Sequence, residues 1–411
     1  MNRRSFLTKM FATAAVAAVA PTSLVYAAPK AYTGDFLLNL QANGGWDVTS
    51  YCDPKENVAG EKKINYWANN DKIQRVGGIS YAPFANNDWF FQKYYKHMLV
   101  INGVDAQTNS HETGVLHNVT GRNAVGAPNL TALFAAAKAP NAPMSYMSMG
   151  GYNDTAGLVS LTRIQGTAQL FQLANPDFNH GGYRTSSSLE RIRALRLKRL
   201  ERGLSRTDLM GRERATMEAH KKALEGQALL RTVSDLNVDP HNNSSDVDAA
   251  LYAFKTGIAC AADAQLPGDL DTHGDHDNRH RNGLTELNER VDRIWTKAEE
   301  LGIAHRLTVV LTSDFGRTPH YNDTNGKDHW PIGSTIVMRK NASWANRTVG
   351  ATDGGHNALR VNPNSLERDD NNGTIIYPKH VHKALQRQLG IESFAQSVGY
   401  GINAENFNFF G

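Results

Sequence analysis

Residues 283–320 read GLTELNERVDRIWTKAEELGIAHRLTVVLTSDFGRTPH, in which a helical pattern leads directly into a strand pattern. The apolar residues of the first half recur at helical spacing and share one face: Leu284, Leu287, Val291, Ile294 and Trp295. Residues 306–312, RLTVVLT, are apolar and β-branched, which is typical of a buried strand, and they end at a polar segment. A helix that leads into a buried strand favours an α/β fold.

Three further stretches predict strands. They are residues 36–40, a segment near 97–103 and the apolar run 257–266. Strands that alternate with helices predict a mostly parallel central sheet with helices on both faces. Polar clusters follow several of these strands, and open α/β sheets place ligands at the carboxyl ends of their strands. We therefore expect these clusters to converge although they lie far apart in the sequence.

The composition fits a globular chain with a sizeable core, because 40% of the 411 residues are apolar and 20% are charged. Residues 1–27 contribute three positive charges and no acid, so the remaining chain carries about +1 of the net +4. A nearly neutral chain does not predict a nucleic-acid partner, which requires a basic face.

The N-terminus, MNRRSFLTKMFATAAVAAVAPTSLVYAAP, predicts a twin-arginine signal peptide over residues 1–27. This signal implies a periplasmic or otherwise exported protein that uses the twin-arginine translocation machinery. Its apolar run is too short and alanine-rich for a membrane span of about 20 residues. We expect a single mature domain over residues 28–411, without a transmembrane segment.

Residues 186–236 are strongly helical and basic, and they predict a helical insertion that packs on the sheet with a solvated charged face. A further helix is expected after Pro378. Cys52 and Cys260 either form a disulfide or remain two buried thiols, and the sequence leaves both readings open.

Two polar clusters follow the first two predicted strands. Asp47 lies in GGWD, where the glycines allow a sharp turn that points a carboxylate into a cleft. Ser110 lies in TNSHETG, just before a helical segment. Ser110 is interpreted either as a helix N-cap or as a nucleophile, because a helix N-terminus stabilises oxyanions and phosphoryl groups. Thr108 and Thr113 are rival candidates.

The third cluster is DTHGDHDNRH, residues 271–280, which follows the third strand. Asp271 and His273 are two positions apart, and His276 and His280 are four apart, so each pair could bind one cation. Mixed carboxylate and imidazole ligands suit zinc or manganese, while calcium and magnesium are also compatible. The alternative is a solvated polar loop.

The fourth cluster is SDFGRTPHYNDTNGKDHW, residues 313–330. Asp314 lies where the best strand ends, and Asp328 and His329 follow later as candidate ligands. Arg317 could bind an anionic group of a substrate. Carboxylates and histidines at several strand ends are what a hydrolytic site with two cations about 4 Å apart requires.

The ordered series of twin-arginine signal, GGWD, SH, DTHG, SDFGRTP and DHW resembles an exported bacterial family. This family is domain of unknown function 1501, which is placed in the alkaline phosphatase and sulfatase-like superfamily. The resemblance implies an alkaline-phosphatase-like sheet with metal ligands on loops at one edge.

The resemblance also implies individual roles. Asp47 would be the first metal ligand, Ser110 would stand near the nucleophile, and Asp271 would act with His273 or His276 at one metal. Asp314 and His329 would serve the other metal. The superfamily has an Asp-His pair where this chain has Asp314-Phe315. One imidazole is therefore missing, so that either His320 replaces it or the second metal is weak or absent.

Three functional hypotheses follow. The first is an exported hydrolase of phosphate or sulfate esters that uses one or two divalent cations and a Ser, Thr or water nucleophile. Its substrate would be a small molecule or an ester of the cell envelope. The second is a non-catalytic exported protein that keeps the fold and one structural cation as a binding or envelope-associated factor. The third is a different metal hydrolase or transferase acting on envelope glycans or lipids.

Overall fold

The computed structural model describes residues 30–175, 186–236, 246–266, 268 and 270–411. The predicted signal peptide, residues 1–27, lies outside the described residues. The described strands are β1 Phe36–Ala42, β2 Gln74–Val76, β3 Ile79–Tyr81, β4 Met98–Asp105, β5 Tyr146–Met149, β6 Leu161–Arg163, β7 Ala261–Gln265, β8 Leu307–Ser313, β9 Gly316–Arg317, β10 His329–Trp330, β11 Ile332–Arg339 and β12 Arg347–Val349.

The described α-helices are α1 Asn87–Tyr94, α2 His111–Thr120, α3 Leu130–Lys138, α4 Thr167–Ala174, α5 Ser186–Leu204, α6 Gly211–Glu225, α7 Gln227–Leu230, α8 Asp246–Thr256, α9 His276–Glu300, α10 Pro378–Gln388 and α11 Glu392–Ser397. The helix predicted from 283 therefore begins at His276 and takes in the second half of the polar stretch 271–280. The helix expected after Pro378 is present as α10. The predicted basic insertion consists mainly of α5 and α6, which pack against each other.

Within the described residues, eight strands form the central sheet in the order β12-β4-β11-β8-β1-β7-β5-β6. Neighbouring strands are parallel except at β11, which runs antiparallel to β4 and β8. All side chains of β1 and β8 are buried, and successive side chains point to opposite faces, so both faces of the sheet are covered there. The predicted α/β class with a mostly parallel central sheet is confirmed.

The register of the central strands places their carboxyl ends side by side. Phe36 of β1 is paired with Leu307 of β8, and the pairing continues to Ala42 and Ser313. On the other side of β1, Gln41 is paired with Gln265 at the end of β7. The segments that follow β1, β7 and β8 therefore leave the sheet at the same edge, where the polar clusters of the sequence begin.

The described residues share one hydrophobic core cluster around this sheet. Phe36 stacks on Phe254 of α8 with ring centroids 4.9 Å apart. Cys52 and Cys260 are both buried and are not bonded to each other, so the structure has two separate thiols. No helix among the described residues is long and apolar enough to cross a membrane.

Candidate metal centre

Four widely separated segments meet at the carboxyl edge of the sheet. His111, at the start of α2, contacts Asp314, which follows β8, with Nδ1 and Oδ2 2.6 Å apart. Asp271, which follows β7, lies 3.3 Å from the imidazole of His329 in β10. Asp47, which follows β1, lies 3.0 Å from His276 at the start of α9. The segments therefore converge as the strand order predicts, but they form two clusters with different chemistry.

The first cluster, which we call the open cluster, consists of His111, Asp271, His273 and His329. Asp271 lies at its centre. Its Oδ1 is 3.0 Å from Nε2 of His273 and 3.3 Å from Nε2 of His329, and its Oδ2 is 3.6 Å from Nε2 of His111. The ligand atoms of His111, Asp271 and His329 all lie within 4.8 Å of one another, which is close enough to hold one metal ion.

The outward nitrogens of the three imidazoles face acceptors. Nδ1 of His111 faces the Asp314 carboxylate at 2.6 Å, and Nδ1 of His273 faces the Asp328 carboxylate at 2.6 Å. Nδ1 of His329 faces the carbonyl oxygen of Asn109 at 2.7 Å. Carboxylate and carbonyl oxygens only accept, so each Nδ1 carries a hydrogen and donates it. In the neutral rings the lone pairs then lie on Nε2 and point into the cluster.

Two of these inward nitrogens approach each other closely. Nε2 of His273 and Nε2 of His329 lie 2.9 Å apart, a distance at which two lone pairs repel unless a proton or a cation lies between them. Nε2 of His111 is buried and has no hydrogen-bond partner among the described residues. Metal-ligating histidines typically donate their outer N–H to a carboxylate or a carbonyl in this way. The open cluster therefore has the donor set and the outer hydrogen bonds of a metal site.

The ionisation of the open cluster also suits a cation. The hydrogen bond to Asp314 raises the pKa of His111 against the opposing effect of partial burial. Partial burial disfavours the charged form of Asp271, but the hydrogen bond and charge of Arg317 prevail and lower the pKa of this carboxyl. Asp271 is therefore an anion at neutral pH. A proton and a metal ion would compete for the same imidazole nitrogens.

Asp314 and Asp328, both expected as metal ligands, instead hold imidazoles in place. Asp314 is buried and accepts hydrogen bonds from Gln41 Nε2 at 2.8 Å and Gly44 N at 3.1 Å, in addition to His111. Asp328 accepts from Asn322 at 3.0 Å as well as from His273. Their carboxylates lie on the outer side of the imidazoles and fix which ring nitrogen points into the cluster.

The second cluster, which we call the sealed cluster, consists of Asp47, His276, His280 and Lys327, all of which are buried. Oδ2 of Asp47 accepts from Lys327 Nζ at 2.7 Å and Ser50 Oγ at 3.0 Å, and lies 3.0 Å from His276 Nε2. Oδ1 accepts from the backbone N–H of Thr49 at 3.0 Å and from its hydroxyl at 2.6 Å. Both oxygens of this predicted metal ligand are therefore engaged by protein donors.

The ring nitrogens of the sealed cluster's histidines meet protein partners. Nε2 of His280 accepts from the backbone N–H of Asp47 at 2.8 Å. The two nitrogens of His276 face Asp47 and the hydroxyl of Thr272, the latter at 2.6 Å. Burial lowers the pKa of both imidazoles, so both are neutral. Burial disfavours the charged form of Asp47 too, but the charge of Lys327 and the hydrogen bond of His276 hold its pKa well below the ordinary value.

Arg317 connects the two clusters. Its guanidinium is fully buried and donates to the carbonyl oxygens of Gly45 and Lys327 at 3.0 Å each, and also to Gly44 O and Asp271 Oδ1. This role differs from the substrate contact expected from the sequence, because the group is turned inward. Arg317 positions Asp271 against the turn that follows β1.

Two glycines allow these close approaches. Gly45 has a positive φ of 79°, and a Cβ there would lie 2.8 Å from the Phe315 ring. A Cβ at Gly114 of α2 would lie 2.3 Å from the backbone oxygen of Asp314. Side chains at these positions would push α2 and the β1 turn away from Asp314. The helix could then not present His111 to the open cluster.

The candidate nucleophiles lie in the segment before α2. Ser110 is exposed at the N-cap position of α2, and its side chain makes no capping hydrogen bond. The hydroxyl of Thr108 accepts from the backbone N–H of Ser110 at 3.1 Å. Ser110, Thr108 and Thr113 therefore remain candidates beside a water molecule. His320, the possible replacement ligand, has a buried Nδ1 without a hydrogen-bond partner among the described residues.

Sequence reasoning missed two residues of these clusters. His111 directly follows Ser110, and the sequence pair SH is the signal that could have indicated it. Lys327 directly precedes Asp328 and His329, but a lysine in a polar loop is ordinarily a solvated residue. Its role depends on contact with Asp47, which lies 280 residues earlier.

The fold and these clusters define an α/β protein with a candidate divalent-metal centre at the carboxyl edge of its sheet. Residues 239–385 match the model of a family described as "Protein of unknown function (DUF1501)". Over these residues the match agrees with the resemblance that the sequence motifs indicated. No curated protein matches the chain.

Among solved structures, the chain is similar to a sulfatase from Pseudoalteromonas sp., with 10% identity over 88% of this chain and 69% of the other and a TM-score of 0.34. It is also similar to the phosphonate monoester hydrolase of Agrobacterium radiobacter, with 12% identity, coverages of 87% and 74%, and a TM-score of 0.34. The alkaline phosphatase of the Antarctic bacterium TAB5 is similar with 9% identity, coverages of 77% and 94%, and a TM-score of 0.33.

Proposed function

We propose that this protein is an exported, metal-dependent hydrolase of phosphate or sulfate esters whose open cluster binds a divalent cation. The observation that supports the proposal best is the orientation of His111, His273 and His329. All three direct Nε2 toward Asp271, while acceptors hold their outer N–H groups. Three imidazoles and one carboxylate form a ligand set that suits zinc or manganese.

The residues around the cation have distinct roles in this proposal. His111, Asp271, His273 and His329 would hold the cation, which when bound polarises an ester oxygen. Asp314, Asp328 and the Asn109 carbonyl keep the imidazoles in the ligating tautomer. Ser110 offers an exposed hydroxyl at the N-terminus of α2, where the helix end favours a developing negative charge.

A non-catalytic role is the second candidate, and the sealed cluster favours it. Its carboxylate, imidazoles and ammonium bind one another and leave a single metal centre. A protein with one cation could use it for stability or for binding an envelope partner. Export is proposed for both candidates on the twin-arginine signal at residues 1–27.

The test begins with the mature protein, residues 28–411, stripped with a chelator and reconstituted with zinc or manganese. We expect one ion per chain by mass spectrometry of the metal and hydrolysis of a p-nitrophenyl phosphate, phosphodiester or sulfate. His329→Ala should lose both the ion and the activity. His305→Ala is the matched control, because His305 is an exposed histidine just before β8, at the opposite edge of the sheet.

The outcomes separate the candidates. An ion that His329→Ala abolishes, with no turnover of any ester, supports the non-catalytic role. Ion binding that is equal in the wild type and in His329→Ala contradicts the proposed centre.

A further inference from the structure

The sealed cluster lies where the sequence predicts a metal ligand, yet it already contains a cation. Nζ of Lys327 lies 2.7 Å from Oδ2 of Asp47, 3.0 Å from Oδ1 of Asn65 and 3.3 Å from the hydroxyl of Thr49. These are a carboxylate, an amide and a hydroxyl oxygen, which are also ligands that hard divalent ions take. The ammonium therefore occupies an oxygen cage that could otherwise receive a metal.

Lys327 is fixed in this cage by its backbone as well as by its side chain. Its N–H donates to Thr272 O at 3.0 Å, and its carbonyl accepts from Arg317 at 3.0 Å. The ring of Tyr321 lies 5.0 Å from Nζ and closes one side. The side chains of Lys327 and Asp47 are both wholly shielded from solvent. The lysine thus cannot swing out to admit an ion without breaking buried hydrogen bonds.

Charge balance also opposes a divalent cation beside Lys327. Asp47 supplies one negative charge and Lys327 one positive charge, while burial keeps His276 and His280 neutral. A divalent ion added here would place three positive charges against one carboxylate. Burying charge without a compensating group is strongly unfavourable, because the charge loses its hydration.

We infer that the ammonium of Lys327 takes the place of a second divalent cation, so that the centre binds one metal ion per chain. The sealed cluster becomes a metal site only when Lys327 is removed. The inference rests on the proposed function for the ion in the open cluster, but the cage around Lys327 is independent of it. A lysine cation is covalently attached, so chelation removes the ion of the open cluster and leaves the charge beside Asp47.

The experiment counts manganese or zinc bound to the folded mature protein by equilibrium dialysis. We expect one ion in the wild type and two in Lys327→Ala, which empties the cage and leaves Asp47 in place. Lys327→Ala combined with Asp47→Asn should return to one ion, because the anionic ligand is gone. Lys327→Met is the matched control, since it removes the charge but fills the space, and it should also bind one ion.

The outcomes also separate this inference from the proposed function. Two ions in the wild type overturn the inference, and that result needs no variant. No ion in the wild type overturns the proposed metal centre, while one ion gained in Lys327→Ala still supports the lysine substitution. If Lys327→Ala is folded and binds the same number of ions as the wild type, the inference is wrong. If that variant is unfolded until manganese or zinc restores it with two ions, the inference is supported.

Discussion

The open cluster and the sealed cluster both draw on residues 271–280, but they handle charge in opposite ways. The open cluster takes Asp271 and His273, and Nε2 of His273 faces Nε2 of His329 at 2.9 Å. The sealed cluster takes His276 and His280, whose ring nitrogens meet Thr272, Asp47 and the backbone. The His273 side chain is 47% exposed, whereas those of Asp47 and Lys327 are 0% exposed.

This difference shows that residue type and spacing do not by themselves decide how a cluster of Asp and His balances its charge. Each cluster contains one aspartate, and each takes at least one histidine from residues 271–280. In the sealed cluster the buried Lys327 supplies a positive charge beside Asp47. The four members of the open cluster include no lysine or arginine. We expect the sealed cluster to contribute to stability and the open cluster to contribute to ligand binding.

The largest effect is expected from Asp47→Ala, which leaves the ammonium of Lys327 buried without its carboxylate. Removing one partner of a buried ion pair costs about 3–5 kcal/mol. Urea unfolding should show this loss in Asp47→Ala and a loss of less than about 1 kcal/mol in His273→Ala, because His273 is half exposed. Replacing both charges, as Asp47→Leu with Lys327→Met, should recover part of the loss. Equal losses in Asp47→Ala and His273→Ala would remove the distinction between the clusters.

The fold was accessible from sequence because its signals are local. The β-branched run 306–312 and the helical spacing before it are properties of neighbouring residues. The convergence of Asp47, Asp271 and Asp314 was also predictable, since parallel strands end at one sheet edge. The start of α9 at His276 also has a local signal, because His276 and His280 are four residues apart and share one helical face.

The division into two clusters was not accessible from sequence, because it depends on contacts between distant segments. Nε2 of His329 points into the open cluster because Nδ1 faces the backbone carbonyl of Asn109. Every residue type has this carbonyl, so the identity of residue 109 does not reveal the contact. The inward turn of Arg317 depends on the backbone oxygens of the β1 turn. A backbone acceptor can belong to any residue type, so the spacing of Asp, His and Arg in the sequence does not divide these residues between the two clusters.

A smaller effect is expected when acid protonates Asp47, because protonation removes its charge but keeps its shape. The pKa of Asp47 is lower in the folded state than its ordinary value of 3.8, so the stabilisation is present above about pH 4. It is lost as the pH falls further toward the folded-state pKa. Urea midpoints between pH 5 and pH 3 should therefore fall more steeply in the wild type than in Asp47→Leu with Lys327→Met. Parallel slopes would show that the carboxyl has no depressed pKa.

The smallest effects concern the two carboxylates behind the open cluster, and their burial sets the order. Asp314→Asn keeps the size of the side chain but weakens the acceptor that faces Nδ1 of His111, and loss of such an outer partner lowers metal affinity about 10- to 100-fold. Asp328→Asn should have a smaller effect, because the Asp328 side chain is 52% exposed and that of Asp314 only 3%. Water can replace the exposed acceptor beside His273, but it cannot reach the buried one beside His111. Competition with a fluorescent zinc chelator measures both affinities, and a larger loss in Asp328→Asn would show that His273, rather than His111, is the dominant imidazole ligand.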